Sequence, residues 1–272
     1  MSQIETNVLP AMNEVWLETL NWQPNEIQEQ LFQQVYQQVL EGNRVQNLTR
    51  ITEPGDFWEK HLWDSLSGIV GIEEILSHKL QVIDIGTGAG FPGVPLAIAF
   101  PHWKVTLLDS TRKKINFVND LIDKLQLDNA TGIIARAESL GRIPGDRASY
   151  DLALVRAVSK PSVCAEYALP FVKRGGLAIL YRGHWSEEDT ENLAAAAADL
   201  GSEIELIHPW GTPLSNGVRH CIYLRKHSST PKKFPRAVGV PEKEPLRSVN
   251  SHLETTPVKS KQPIVIKKQR DR

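Results

Sequence analysis

Cysteine is nearly absent: Cys164 and Cys221 are the two in 272 residues. That scarcity argues against a disulfide-stapled secreted scaffold and predicts two reduced thiols in a cytoplasmic protein. Long hydrophobic runs are also missing. No stretch approaches the roughly 20 apolar residues that a membrane helix needs, so no membrane partner is expected. The amino terminus, MSQIETNVLPAMNEVW, carries acids and no basic-then-apolar pattern, which predicts no secretory leader. No internal repeat and no metal-ligand cluster stands out. What remains is ordinary for a globular protein: 41% hydrophobic and 23% charged residues, enough for one sizeable core with a helical appendage.

The net charge of −1 conceals an asymmetry. Residues 226–272 hold twelve Lys or Arg against four Asp or Glu, and the preceding 225 residues carry a net −9. A basic tail on an acidic body suggests a polyanionic partner, and a solvated terminus with no partner fits charge alone as well. The Pro-, Lys- and Ser-rich composition of 227–272 predicts an extended or disordered tail.

Periodicity divides the rest. Residues 24–41 read as a helix, with Pro24 near its start, Gly42 as its stop and Ile27, Leu31, Val35 and Val39 recurring every four positions. Asp56 is placed to cap a second helix through FWEKHLWDSLSGIV, with Trp58, Leu62, Leu66 and Ile69 on one face. Residues 1–79 are thus a helical extension. From Leu80 to Lys226, β-branched runs at 81–86, 104–109, 131–136, 150–156, 176–181, 203–208 and 220–225 alternate with amphipathic stretches. That alternation predicts an α/β fold, a mostly parallel seven-stranded sheet with helices on both faces. The last two strands, with a short connection, read as an antiparallel pair.

The first strand runs into QVIDIGTGAGFPGVPL. A parallel strand ends at the sheet edge where ligands bind, and glycines there allow sharp turns and close approach. The Gly-Lys-Ser/Thr of a phosphate loop is absent, and the third glycine of a dinucleotide fingerprint is replaced by Phe91. The pattern is Asp84-x-Gly86-x-Gly88-x-Gly90, with Asp109 ending the next strand 23 positions past Gly86. It resembles the first motif of class I S-adenosylmethionine-dependent methyltransferases, which are Rossmann-like. The resemblance implies that the loop backbone lies along the ligand, that Asp84 supports the ligand's charged end or the loop itself, and that Asp109 accepts ribose hydroxyls. A dinucleotide enzyme would also place an acid near Asp109. Ala137 and Glu138, after the third strand, fall at the same edge, near an adenine.

The segment after the fourth strand lacks the Asn/Asp-Pro-Pro-aromatic sequence of amino-directed nucleic-acid methyltransferases. It reads LVRAVSKP instead. Cys164 sits at an apolar helix position rather than as a nucleophile. An acceptor that needs no deprotonation, such as guanine N7, is compatible with both absences.

The segments NLTRI, HLWDSL, VIDIGTGAGFPGVPLAI, LLDSTRKK, RAES, VRAV and PKKFPRAVGVPEKEPL are similar, in order, to the ribosomal RNA small subunit methyltransferase G family, also called glucose-inhibited division protein B. The match runs from about Asn47 to Leu246. It implies methyl transfer from S-adenosylmethionine to N7 of one guanine in 16S ribosomal RNA, free or within the small subunit, by a monomer. Carried over by position, the cofactor contacts are Gly86, Phe91, Asp109, Ser110, Thr111, Ala137, Glu138 and Arg156, beside Asp84 and Gly88 of the glycine loop. Phe91 is expected to wall the pocket. Arg156, following a buried strand, must meet a carboxylate such as Asp84, the cofactor or RNA phosphate. Arg156 and Lys114 are the expected catalytic pair, although family members often have Arg at the position of Lys114. Arg112, Lys113, Lys114, Arg182, Lys232, Lys233 and Arg236 are the expected RNA contacts. His61 and Asp64 also match the family, as pocket-lining or packing residues.

Overall fold

The computed structural model describes residues 8–69, 72 and 78–247. Seven strands form one sheet: β1 (Gln81–Ile85), β2 (Lys104–Asp109), β3 (Ala130–Ile134), β4 (Tyr150–Arg156), β5 (Val172–Arg182), β6 (Ser202–Gly211) and β7 (Val218–Lys226). Their order is β3-β2-β1-β4-β5-β7-β6. Pairings among β1 to β5 are parallel, and β7 inserts antiparallel between β5 and β6. This is the mostly parallel seven-stranded architecture that the sequence predicts, with the terminal antiparallel pair.

Both faces are covered. One carries the amino-terminal helices with α5 (Gly93–Ala99) and α6 (Arg112–Leu125), and the other carries α8 (Pro161–Ala168) and α9 (Glu187–Asp199). The central strands read as nearly continuous apolar runs because they are buried on both sides. The register sets Ile85 beside Leu108, so the chain leaves β1 and β2 at one edge, with Gly86 next to Asp109.

The amino-terminal helices are α1 (Asn13–Leu20), which no sequence signal marked, and α2 (Glu26–Asn43). Asn25 caps α2 through a reciprocal capping box with Gln28. Its buried face is Phe32, Val35, Tyr36 and Val39, while Ile27 is 69% exposed. Val35 and Val39 of the four-residue series lie in that face and Leu31 packs half-buried beside it, but Ile27 falls outside because each step of four overshoots the helical repeat by about 40°.

The second predicted helix is three pieces: α3 (Pro54–Phe57), a π-helical stretch (Trp58–Trp63) and α4 (Asp64–Ser67). Glu53, not Asp56, is the capping position, with Pro54 at the first helical site. Asp56 instead pairs with Lys60 at 2.8 Å. Residues 57–69 are buried all round apart from Lys60, rather than along one stripe, because helices, sheet and the β6–β7 loop enclose them.

The largest departure lies past β7. Lys226 is buried, and residues 227–247 pack as a strap instead of extending as a free basic tail. Phe234 enters the core under the second face, and Val240–Lys243 form a short helix, α10. Composition missed this because the strap is held by hydrogen bonds to its backbone. Arg147 donates to the carbonyls of Thr230 (2.8 Å), Pro231 (3.3 Å) and Phe234 (2.8 Å), and Arg142 to that of Pro235 (2.5 Å). The rest of the predicted tail, 248–272, lies outside the described residues.

Candidate active site

At the carboxyl edge of β1 the backbone turns on glycines with φ of 74° (Gly86), 61° (Gly88) and 100° (Gly90), values that side-chain-bearing residues rarely adopt. Asp84 is fully buried. Its Oδ2 accepts from Thr87 Oγ1 (2.6 Å) and from the Gly93 amide (2.8 Å). Burial pushes its carboxyl up to about 6 against those two bonds and the pull of Arg156, with Asp109 adding to the rise. Asp84 therefore ties the glycine loop to the start of α5 and does not line the cavity beyond it. Of its two expected roles, the structure displays support of the loop.

That cavity has a volume of about 390 Å³, within the range of small-molecule sites. Gly86 and Val158 form part of its wall, and a Cβ at Gly86 would stand 2.5 Å from Val158 Cγ2. Asp109 lies beside them. Its Oδ1 accepts from the Thr111 amide (2.8 Å) and its Oδ2 from the Gly88 amide (3.2 Å), so the two loops hold one carboxylate between them. Gly88 serves the site through that bond and is not part of the wall. Ser110, Thr111 and Lys114 complete this side, with Lys114 Nζ 3.8 Å from Asp109 Oδ2.

Across the cavity, α7 (Ala137–Leu140) contributes Ala137 and the buried Glu138. Burial by itself would raise the Glu138 carboxyl. Hydrogen bonds from Arg136 (3.1 Å), the Gly239 amide (2.9 Å) and its own amide outweigh burial and hold it below the usual carboxylate range. Ala157, which follows β4, lines the site in a left-handed conformation (φ 53°). Such backbone outliers cluster at functional sites.

Arg156 and Phe91 belong to a different assembly. Arg156 Nη1 donates to Asp64 Oδ2 and to the Lys60 carbonyl, both at 2.8 Å, and Nη2 lies 3.3 Å from His61 Nδ1. The carboxylate that meets Arg156 is thus Asp64 of the π-helical segment, not Asp84. Phe91 is buried, stacks on His61 with ring centres 4.4 Å apart, and lies 5.6 Å from the Arg156 guanidinium. It packs beneath the glycine loop instead of walling the cavity, because its ring is stacked on His61 and held in an edge contact with Phe57. Burial, then the charges of Arg156 and Lys60, lowers His61 to about 3. A neutral His61 accepts from Arg156 at Nδ1 and donates to Thr49 Oγ1 from Nε2 (2.8 Å).

The expected RNA contacts separate into two groups. Arg112 and Lys113 are exposed at the start of α6, beside the cavity, and Lys232 and Lys233 are exposed on the strap. Arg182 is half-buried and donates to the Ser159 carbonyl at 2.6 Å. Arg236 is not a free cation. It grips the buried carboxylate of Glu166 through one guanidinium edge, Nε and Nη2 (2.7–3.1 Å), and its amide donates to the same group. A buried acid needs that partner, and no local pattern in the sequence pairs residues 70 positions apart. Cys164 is packed in the core, where burial pushes its thiol up to about 11, far from a thiolate at neutral pH.

Three cavity residues with polar side chains were assigned no role by the sequence: Arg136, Tyr167 and Glu242. Glu242 lies inside PKKFPRAVGVPEKEPL, one of the segments that carried the family resemblance, so its signal was present without a role.

Comparisons with known proteins point to one family. Residues 28–212 match the family model described as rRNA small subunit methyltransferase G. The curated protein named Ribosomal RNA small subunit methyltransferase G of Trichormus variabilis is 56% identical over 244 residues, 89% of this chain and 100% of its own length. That of Nostoc punctiforme is 54% identical over 246 residues, covering 89% and 100%. That of Trichodesmium erythraeum is 52% identical over 252 residues, covering 92% and 99%.

Proposed function

The chain belongs to the rRNA small subunit methyltransferase G family, and on that premise we propose that it transfers a methyl group from S-adenosylmethionine to N7 of one guanine in 16S ribosomal RNA, in the cytoplasm. When bound, S-adenosylmethionine supplies a methyl group on an electrophilic sulfonium. The residues present fit it. Asp109, held by two amides, offers carboxylate oxygens to a ribose diol. Gly86 lets the backbone approach closely, and Ala137 and Glu138 offer polar groups to an adenine.

Guanine N7 carries an in-plane lone pair that is nucleophilic at neutral pH, so the protein need not supply a general base. Its work is alignment and exclusion of water. Arg112, Lys113 and Lys114, beside the cavity, hold phosphates around the target, and Arg182, Lys232 and Lys233 widen the basic surface. Arg156 acts as a positioning residue. Bound to Asp64, Lys60 and His61, it fixes Phe91 and through it the glycine loop. The observation that carries the reading is the convergence of Gly86, Asp109 and Glu138 on one 390 Å³ cavity.

The experiment supplies tritiated S-adenosylmethionine and small subunits lacking the modification. Label is expected in 16S RNA and is released as 7-methylguanine. Asp109→Ala and Glu138→Ala are each expected to weaken cofactor binding by about tenfold or more, the scale of losing hydrogen bonds to a charged group. Cofactor binding without labelling of any ribosomal substrate would overturn the reaction. Unaltered binding in both variants would overturn the site.

A further inference from the structure

The strap reaches the cavity. Gly239 donates its amide to Glu138 Oε1 at 2.9 Å, and Glu242 lines the opening between α7 and the loop after β4. Ser159 of that loop donates its hydroxyl to Glu242 Oε2 at 2.5 Å. The strap is anchored just upstream by the buried Arg236–Glu166 pair. Nothing in the seven-stranded fold requires this: the sheet is complete at Lys226.

We propose that residues 236–243 form a wall of the cofactor site. The Gly239 amide orients Glu138 toward the adenine, and Glu242 closes the adenosyl end. This rests on the S-adenosylmethionine reading of the cavity and extends it to a segment outside the sheet. Three physical points support it. A buried carboxylate has little freedom once two donors fix it, so Glu138 keeps the direction that Arg136 and Gly239 impose. The strap's own position is stiff, since a charge-assisted bidentate pair to a buried acid holds Arg236. Glu242 is exposed apart from its bond to Ser159, as expected of a side chain at an opening rather than in a core.

The test measures S-adenosylhomocysteine binding by calorimetry on the full chain. Variants are Glu242→Ala, Arg236→Ala and, as a control from the same strap outside the cavity, Glu244→Ala. A second ligand, S-inosylhomocysteine, replaces the adenine amino group with an oxo group. Glu242→Ala is expected to weaken S-adenosylhomocysteine about fivefold, the scale of one polar contact, with the RNA KM unchanged. Arg236→Ala is expected to weaken it about tenfold and to erase most of the preference for the adenine over the hypoxanthine ligand, because Glu138 loses its orientation. Glu244→Ala is expected to bind like the wild type. Wild-type affinity in Glu242→Ala, together with an intact base preference in Arg236→Ala, would overturn the proposal. If Arg236→Ala does not fold, Glu242→Ala decides alone. A wild-type chain that binds neither ligand would instead remove the cofactor reading, and the strap's role with it.

Discussion

Two additions flank the sheet, and they are fastened by opposite chemistry. Residues 13–69 attach through aromatic and aliphatic burial. Trp16, Trp58, Trp63, Phe32 and Tyr36 join the core that covers one face, with Trp16 and Trp58 ring centres 4.8 Å apart. Residues 227–247 attach mainly through cations meeting carbonyls and carboxylates: Arg142, Arg147, Arg236 and Lys226. Each reaches the carboxyl edge of the sheet, the first by His61 and Asp64 at Arg156, the second by Gly239 and Glu242 beside Glu138. The lesson is that basic composition does not by itself make a segment a nucleic-acid tail. In this one, Lys226 and Arg236 spend their charge on the fold.

The sharpest way to break the comparison is Trp63→Ala. Trp63 is fully buried, and its indole donates to Thr19 Oγ1 at 2.9 Å. A loss of about 3–5 kcal/mol is expected in urea unfolding, from lost transfer energy and the cavity left behind. A loss under 1 kcal/mol would mean that the amino-terminal helices are not held by burial. On the other side, Arg147→Met removes four hydrogen bonds to carbonyls. About 2–3 kcal/mol is expected, with new protease cleavage between 228 and 240. An intact strap under protease would show that other contacts suffice.

Lys226 offers a pH test of the same attachment. Its ammonium donates to the carbonyls of Leu169 (2.7 Å) and Leu200 (3.2 Å) and to Thr230 Oγ1, with no carboxylate partner among the described residues. Burial, then the charge of Arg147, lowers its pKa from 10.5 to about 7. The unfolded chain therefore binds more protons between those values, so this residue adds stability as pH rises from about 7 toward 10.5, with a slope of up to about 1.4 kcal/mol per pH unit. Lys226→Met is expected to lose that contribution, seen as a flatter stability curve between pH 7 and 9. Parallel curves would place the lysine's charge elsewhere. The smallest effect belongs to Ile27→Gln. The exposed face of α2 predicts a change within about 0.5 kcal/mol, whereas the face inferred from four-residue spacing would make it costly.

Strands were legible because a sheet buried on both sides must be written as short apolar, β-branched runs between turn residues. Asp84, Gly86, Gly88 and Asp109 were legible because their spacing follows from where two neighbouring parallel strands end. Arg156 was legible as a charge needing a partner, yet not as the partner of Asp64, 92 positions away. Arg236 showed the same limit with Glu166. The stripe of Trp58, Leu62, Leu66 and Ile69 did not reveal the π-helical stretch, because apart from Lys60 the residues between them are buried as well.

By itself, then, the sequence determined the alternation of strands and helices, the glycine loop and the acid that faces it. Those features depend on local backbone freedom and on apolar patterning along the chain. The tertiary structure alone decided which charges neutralise each other and which face of α2 turns inward. It also decided that the segment after β7 folds back to the cavity. Ion pairs and burial are properties of groups brought together from distant positions, and neither is encoded within any single stretch.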